Sequence, residues 1–341
     1  MSSRSRFSAP RLEWYGQIEE EVVDPGRRII DPHHHLWEIP DADYVLDHLR
    51  ADTGSGHRVT ETVFVECHAS YRTDGPEHLR PVGETEFVAT IAEASTAGPD
   101  ARIAGIVAHA DLRLGAPGDR RLDEVLDAHE AAGHGLFRGI RHAISCPEHP
   151  ETLLIPGRAP TGLAADEAFR AGVRRLGQRG LTYDSWHYHV QLPEFTDLCR
   201  AAPDTTVVLD HFGTPLGVGP YEGRRDEVFA TWRDDLAELA RCPNVMAKLG
   251  GLAMPDNGFG WHDADRPPTS DEVVAAHRPY FLHAIECFGP DRCMFESNFP
   301  VDRLSLSYRV LFNAFKKMVV DFSDAEQDAM FSGTAERVYR L

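Results

Sequence analysis

The stretch with the clearest chemical potential is Asp31-Pro32-His33-His34-His35, which closes a short apolar run. That run is typical of a buried β-strand. Because side chains in a strand alternate between its two faces, His33 and His35 point the same way and His34 points the other way. Two imidazoles at this spacing can share one divalent cation. The alternative is a histidine-rich turn whose rings only bond neighbouring carbonyl groups.

Polar side chains also lie in or directly after other short apolar runs. They are Glu66, Arg138, Arg141, Trp186, Tyr188, His189, His211 and Lys248. Taken singly, each is typical of a solvated loop residue, and the two aromatic residues are equally typical of core filling. Their recurrence at one end of successive strands predicts a shared site if those strands are parallel, because a barrel enzyme assembles its site there.

Eight such runs occur, about every 38 residues, which leaves room for a helix and two loops between them. The predicted strands are 28–33, 61–66, 102–108, 137–142, 181–186, 205–210, 244–249 and 292–297. This alternation predicts an α/β fold, a (β/α)8 TIM barrel over residues 28–341 that follows an N-terminal extension of residues 1–27. Capping boxes at Thr269–Glu272 and Ser323–Glu326 predict two helix starts. The Pro- and Gly-rich segments 144–162 and 251–270 are predicted to be long loops, either lids or surface insertions.

The composition excludes several classes of function. The 341 residues carry 35 basic and 54 acidic side chains, a net charge of −19, which disfavours nucleic-acid and anionic membrane partners. No apolar run is long enough for a secretory signal or a membrane span, and the six cysteines form no CxxC pair. We therefore expect a cytoplasmic protein with reduced thiols and a small-molecule substrate, either a monomer or a homodimer.

Four segments carry a family resemblance: DPHHHLW at 31–37, VVLDHFGTP at 207–215, RCMFESNFPVD at 292–302 and FSGTAERVYRL at 331–341. Together they resemble the amidohydrolase superfamily, in particular its branch of barrel hydrolases that includes sugar lactonases and 2-pyrone-4,6-dicarboxylate lactonase. The resemblance extends from about residue 28 to the last residue.

The resemblance implies roles for individual residues. His33 and His35 match paired histidines that bind a divalent metal or, in metal-free lactonases, the substrate. His189 matches a third metal ligand, and His211 matches a histidine that polarises a carbonyl or moves a proton. Arg141 resembles an arginine that grips a substrate carboxylate, for which its planar fork is suited. Among the residues found earlier, Arg138, Lys248 and Glu66 are further candidates for binding substrate, and Tyr188 and Trp186 are candidates for the pocket wall.

Asn298 departs from the family pattern, which has an aspartate at this position. An asparagine cannot accept a proton from water at neutral pH, so Asp302 and Glu296 become candidate replacements, although Glu296 is equally suited to pairing with a buried arginine. A metal could supply the missing help, since zinc lowers the cost of forming hydroxide by about 12 kcal/mol. The expected cofactor is zinc at His33, His35 and His189, with manganese or no metal as alternatives.

Three functions are compatible with these residues. The favoured one is metal-assisted hydrolysis of a lactone, the cyclic ester of a small carboxylated or oxygenated compound. The second is non-oxidative decarboxylation of an aromatic or unsaturated acid at the same site, and the third is a ligand-binding barrel without turnover. Asn298 keeps the third alternative open.

Overall fold

The computed structural model describes residues 11–40 and 42–341. Its sheet contains eight parallel strands in sequence order, each paired with the next. The strands are β1 Arg28–His34, β2 Arg58–Val65, β3 Arg102–Ala108, β4 Phe137–Arg141, β5 Thr182–Ser185, β6 Val207–Leu209, β7 Val245–Leu249 and β8 Cys293–Phe295. All eight predicted strands are confirmed.

Helices separate the strands along the chain. They are α1 Leu12–Tyr15, α2 Leu46–Thr53, α3 Val82–Ser95, α4 Arg121–Ala132, α5 Glu167–Gln178, α6 Leu192–Ala201, α7 Arg225–Leu239, α8 Ser270–Phe288, α9 Tyr308–Met318, α10 Asp324–Asp328 and α11 Thr334–Tyr339. Both predicted capping boxes are confirmed: Thr269 caps α8 with Glu272, and Ser323 caps α10 with Glu326. Within the described ranges, no helix is both long and apolar enough to cross a membrane.

Backbone contacts between the last and first strands close the barrel at its carboxyl end. The amide of His35 donates to the carbonyl of Phe299 at 2.8 Å, and the amide of Asn298 donates to the carbonyl of His33 at 3.0 Å. The fold is therefore the predicted (β/α)8 barrel. Because every strand runs in the same direction, the residues that end the strands meet at one mouth.

The apolar core has two layers. The larger one lies between the strands and the surrounding helices, and it contains most of the buried aliphatic and aromatic side chains. The smaller one fills the barrel with Ile30, Val63, Val107 and Met294, and with Tyr339 from α11. An interior packed in this way leaves the carboxyl end of the strands as the place for a site.

The two predicted long loops are hydrogen-bonded to each other. The carboxylate of Asp256 accepts from the amides of Leu154 at 2.7 Å and Ile155 at 3.0 Å. The hydroxyl of Tyr188 accepts from the amide of Gly157 at 2.7 Å. The segment before the barrel also contacts the second loop, since the indole of Trp14 donates to the carbonyl of Ala264. Segments 144–162 and 251–270 therefore form one connected wall beside the mouth.

His277 makes the stability of the barrel sensitive to acid. It is 1% exposed, its ring lies against those of Phe259 and Trp261, and its Nε2 has no hydrogen-bond partner among residues 11–40 and 42–341. Burial lowers the pKa of His277 to about 3. Below pH 6.5 the imidazole of His277 is protonated in the unfolded chain but stays neutral in the folded chain. The stability of the fold therefore decreases progressively as the pH falls.

We expect His277 alone to remove about 2 kcal/mol of stability between pH 7 and pH 5. Urea unfolding at both pH values measures this loss in the parent protein and in His277→Leu, which lacks the titrating group. The variant should lose about 2 kcal/mol less than the parent, whereas the exposed control His149→Gln should match the parent. Equal losses in His277→Leu and the parent would contradict this assignment.

Candidate active site

Three histidine rings from two distant parts of the chain meet at the mouth of the barrel. The ring centroid of His33 lies 4.9 Å from that of His35 and 4.5 Å from that of His211. All three side chains are buried. The rings are close enough together to contact one small molecule.

Glu296, which follows β8, bridges two of these rings. Its Oε1 lies 2.6 Å from Nδ1 of His211, and its Oε2 lies 2.8 Å from Nδ1 of His33. Burial opposes its ionisation, but His211 and His33 lower the pKa of Glu296 to about 2. Because the ionised carboxylate can only accept, Nδ1 of His211 carries the proton and Nε2 of His211 has a free electron pair. A histidine oriented in this way by a carboxylate can act as a general base.

His35 has the same tautomer for a different reason. Its Nδ1 lies 2.8 Å from the carbonyl oxygen of Val65, to which it donates. Burial, followed by the charge of His33, lowers the pKa of His35 well below its usual value. His35 is therefore a neutral imidazole whose Nε2 accepts.

A charged network lies beneath the rings. The Nζ atom of Lys248 lies 2.8 Å from Asp184 and 3.0 Å from Asp210, and all three side chains have no exposed surface. The hydroxyl of Tyr339 donates to Asp184 at 2.5 Å. Burial opposes the charge of Lys248, but the two aspartates raise its pKa. The ammonium group also lies 3.2 Å from Nδ1 of His33.

Arg141, at the end of β4, joins the rings to the end of β2. Its Nε donates to Oε1 of Glu66 at 2.8 Å, and its Nη2 donates to the carbonyl oxygen of the same residue. Its Nη1 lies 3.3 Å from Nε2 of His33 and 3.5 Å from Asp210. Burial opposes the ionisation of Glu66, but Arg141 lowers the pKa of Glu66 to about 2. Two carboxylates thus largely neutralise the guanidinium.

The eighth strand ends in a strained turn. Asn298 has a φ of 54°. Its side-chain amide donates to one carboxyl oxygen of Asp302 at 2.9 Å, and the backbone amide of Ala253 donates to the other oxygen of Asp302 at 3.1 Å. Burial raises the pKa of Asp302 to about 7. His211 also has a positive φ, of 54°. Residues held in this sparsely populated region are concentrated at functional sites.

Comparison with known proteins identifies the family. A family model described as amidohydrolase matches residues 30–341. The chain belongs to the amidohydrolase family. "Uncharacterized protein y4mH" from Sinorhizobium fredii is 34% identical to this amidohydrolase over 328 residues, 92% of this chain and 98% of that protein. An L-fucono-1,5-lactonase from Burkholderia multivorans is 30% identical and covers 93% of this chain, with 97% of its own length matched.

Solved structures agree with this assignment. An amidohydrolase from Burkholderia multivorans with bound zinc superposes with a TM-score of 0.70 at 27% identity, covering 92% of this chain and 99% of its own. This amidohydrolase is therefore an enzyme of a hydrolase family whose relatives include proteins named as lactonases.

Some of the predicted site residues lie elsewhere in this amidohydrolase. Nδ1 of His189 accepts from the amide of Leu216 at 3.3 Å, and its ring lies against that of Tyr221. Arg138 donates to the carbonyls of Gly135 at 2.6 Å and Ala104 at 3.3 Å, at the amino end of β4. Arg141 lies three positions further along the chain, about 10 Å along a strand. The structure does not bring these two side chains to the three rings.

The two aromatic candidates belong to the wall of the mouth. The indole of Trp186 donates to Thr214 at 3.0 Å, and its ring packs edge-on against that of Tyr188. Tyr188 in turn holds Gly157 of the first long loop. Their predicted contact with substrate stays a prediction.

Two carboxylates of the charged network around Lys248 were not among the predicted site residues. Asp184 and Asp210 lie within predicted strands, in the runs TYDS and VVLD, and each meets Lys248 inside the barrel. The signal was present, because a carboxylate within a buried strand requires a cationic partner. Glu296 was considered as the partner of an arginine, whereas it pairs with two histidines.

The three predicted zinc ligands, His33, His35 and His189, do not come together as one group in the described residues. Within the described part of the chain, two groups of three potential ligands come within 4.8 Å of one another: His33, His211 and Glu296, and Glu66, His68 and His109. Neither group contains His35 or His189. In the first group the oxygens of Glu296 lie 2.6 Å from Nδ1 of His211 and 2.8 Å from Nδ1 of His33. These distances suit a shared proton, whereas two ligand atoms of one zinc ion lie about 3.4 Å apart. The Nδ1 atoms of His33 and His211 are therefore occupied by Glu296 and are not available to a metal ion.

Proposed function

We propose that this amidohydrolase opens a lactone, with His211 as the general base. The 2.6 Å contact between Nδ1 of His211 and Oε1 of Glu296 carries the proposal, since it leaves Nε2 of His211 free to take a proton. The relatives named L-fucono-1,5-lactonase support the substrate class.

The reaction would proceed in two proton transfers. His211 removes a proton from water as the water oxygen attacks the ester carbonyl, and a tetrahedral oxyanion forms. The bond between the carbonyl carbon and the ring oxygen then breaks, and His211 returns its proton to that oxygen. The product is a hydroxy acid.

The charge balance at the mouth favours a neutral, hydroxylated lactone over a carboxylated one. Arg141 was predicted to grip a substrate carboxylate, but Glu66 and Asp210 already accept from its guanidinium. A second anion would have to compete with both of them. The imidazole of His35 is a neutral acceptor that suits a hydroxyl group of a sugar-acid lactone.

We expect the purified enzyme to open neutral sugar-acid lactones faster than a 2-pyrone carboxylate. Acid release, corrected for spontaneous hydrolysis, measures the rates. His211→Gln should lose about 10²–10⁴-fold in kcat, whereas His134→Gln, at an exposed position between α4 and β4, should keep the parent rate. The same rates measured after treatment with a chelator test whether a zinc ion, such as the one in the Burkholderia multivorans structure, is required.

Two outcomes would contradict the proposal. One is that the parent opens none of the lactones. The other is that His211→Gln retains the parent rate. Release of carbon dioxide from aromatic acids, without lactone opening, would favour the decarboxylase alternative.

A further inference from the structure

We propose that Glu66, His68 and His109 form a binding site for a divalent transition-metal ion of the zinc type, at the ends of β2 and β3. The three side chains offer donor atoms that lie within 4.8 Å of one another. One carboxylate and two imidazoles bind zinc in many enzymes and leave a coordination position open. This site is separate from the group formed by His33, His211 and Glu296, and it does not depend on the proposed hydrolytic role of His211.

The carboxylate of Glu66 is the first observation that points to a ligand. Glu66 is 3% exposed, yet its Oε2 has no hydrogen-bond partner in residues 11–40 and 42–341. A buried carboxylate oxygen without a partner is costly, and a cation would satisfy it. This oxygen lies 3.6 Å from Nε2 of His68, close to the separation of about 3.4 Å between two ligands of a tetrahedral zinc ion.

The outer contacts of the three side chains fix them in a ligating orientation. Nδ1 of His109 donates to the carbonyl oxygen of Arg141 at 3.0 Å, and Nδ1 of His68 lies 2.9 Å from the hydroxyl of Tyr71. Both contacts leave the Nε2 atoms free. Arg141 holds the other oxygen of Glu66. Metal-binding histidines characteristically bond a carbonyl or another acceptor through their second nitrogen in this way.

The backbone around His68 is also held in place. His68 has a φ of 60°, a conformation that a non-glycine residue rarely adopts. The carboxylate of Glu84 on α3 accepts from the amides of Cys67 at 3.0 Å and Ala69 at 2.7 Å, on either side of His68. The side chain of His68 is 61% exposed, so an ion can enter from solvent. The site is therefore both accessible and preorganised.

The position of the ion suggests what it would bind. Arg141 contacts both Glu66 and His33, so the two groups of side chains are neighbours at the same mouth. The open coordination position would take water or an oxygen atom of a bound hydroxylated molecule.

Metal binding without substrate tests the site. The full chain, treated with a chelator and dialysed, is titrated with Zn²⁺ by calorimetry and with Co²⁺ by visible absorption. We expect one equivalent of Zn²⁺ and the absorption of a low-coordinate Co²⁺ complex. His68→Gln should weaken Zn²⁺ binding by at least about 100-fold, and because His68 is exposed, this variant should fold. His109→Gln should have a similar effect.

Two control variants separate this site from the histidine group. His149→Gln changes an exposed histidine elsewhere, and His211→Gln changes the proposed base; both should bind Zn²⁺ as the parent does, with folding checked by circular dichroism. The proposal is overturned if the parent binds no Zn²⁺ or if His68→Gln binds Zn²⁺ as tightly as the parent. It is also overturned if folded His211→Gln loses the Zn²⁺. Since no lactone is present, these outcomes are independent of the hydrolysis assay.

Discussion

Glu296→Gln is expected to lower kcat for lactone opening by about 10²–10⁴-fold while KM changes little. The ionised carboxylate accepts from Nδ1 of His211 at 2.6 Å, and its other oxygen lies 2.8 Å from Nδ1 of His33. A glutamine side chain carries no charge and has a donor NH2 in place of one carboxylate oxygen, so it can face His211 with a donor and no longer keeps the proton on Nδ1. If His211 then places its proton on Nε2, it can no longer accept a proton from water.

Initial rates with the best lactone measure this effect, and ¹⁵N NMR of the imidazoles reports the tautomer directly. The matched control is Glu286→Gln, which changes an exposed glutamate on α8 and should keep the parent rate. Parent-like kcat in a folded Glu296→Gln protein would contradict the role of the carboxylate. An unchanged His211 tautomer together with a large rate loss would also contradict it.

Lys248→Met is expected to destabilise the fold by about 3–5 kcal/mol. The substitution fills a similar volume but removes the cation that Asp184 and Asp210 contact at 2.8 and 3.0 Å. Both carboxylates have no exposed surface, so water cannot replace the ammonium. Arg141 reaches only Asp210, at 3.5 Å, so Asp184 loses its only ion pair within the described residues.

Urea unfolding at pH 7 measures this loss. Lys317→Met is the matched control, because Lys317 pairs with the exposed Asp271 at 2.7 Å, and a surface pair contributes at most about 1 kcal/mol. Asp184→Asn combined with Lys248→Met should recover part of the loss, since it removes one of the unpaired charges. A loss below about 1 kcal/mol for Lys248→Met would show that the network does not stabilise the barrel.

The barrel could be predicted because its strands are buried on both faces and therefore appear as continuous apolar runs. Strand ends were less predictable. The structure starts β2 at Arg58, whereas the apolar run suggested residue 61, because the first residues of this strand are partly exposed and carry polar side chains. Conversely, β8 is shorter than the run 292–297, since Glu296 and Ser297 already belong to the loop of the site.

The site could be predicted only where a strand fixes the direction of a side chain. His33 lies within a strand, and Arg141 and Lys248 lie at or near strand ends, and all three reach the mouth. His189 lies in a short 3-10 helix after β5, which carries it to Leu216, and no periodicity in the sequence gives the direction of such a turn. Arg138 lies at the start of β4, so it reaches the opposite end of the barrel.

The division of the site between β1–β4 and β5–β8 has a consequence for fragments. His33, Glu66 and Arg141 come from the first half of the barrel, and Lys248 and Glu296 come from the second. Neither half alone contains both His33 and the side chains of Lys248 and Glu296 that contact it. Catalytic turnover by co-expressed halves would therefore report their reassembly, so that enzymatic rate serves as a sensor of whether the cylinder has closed.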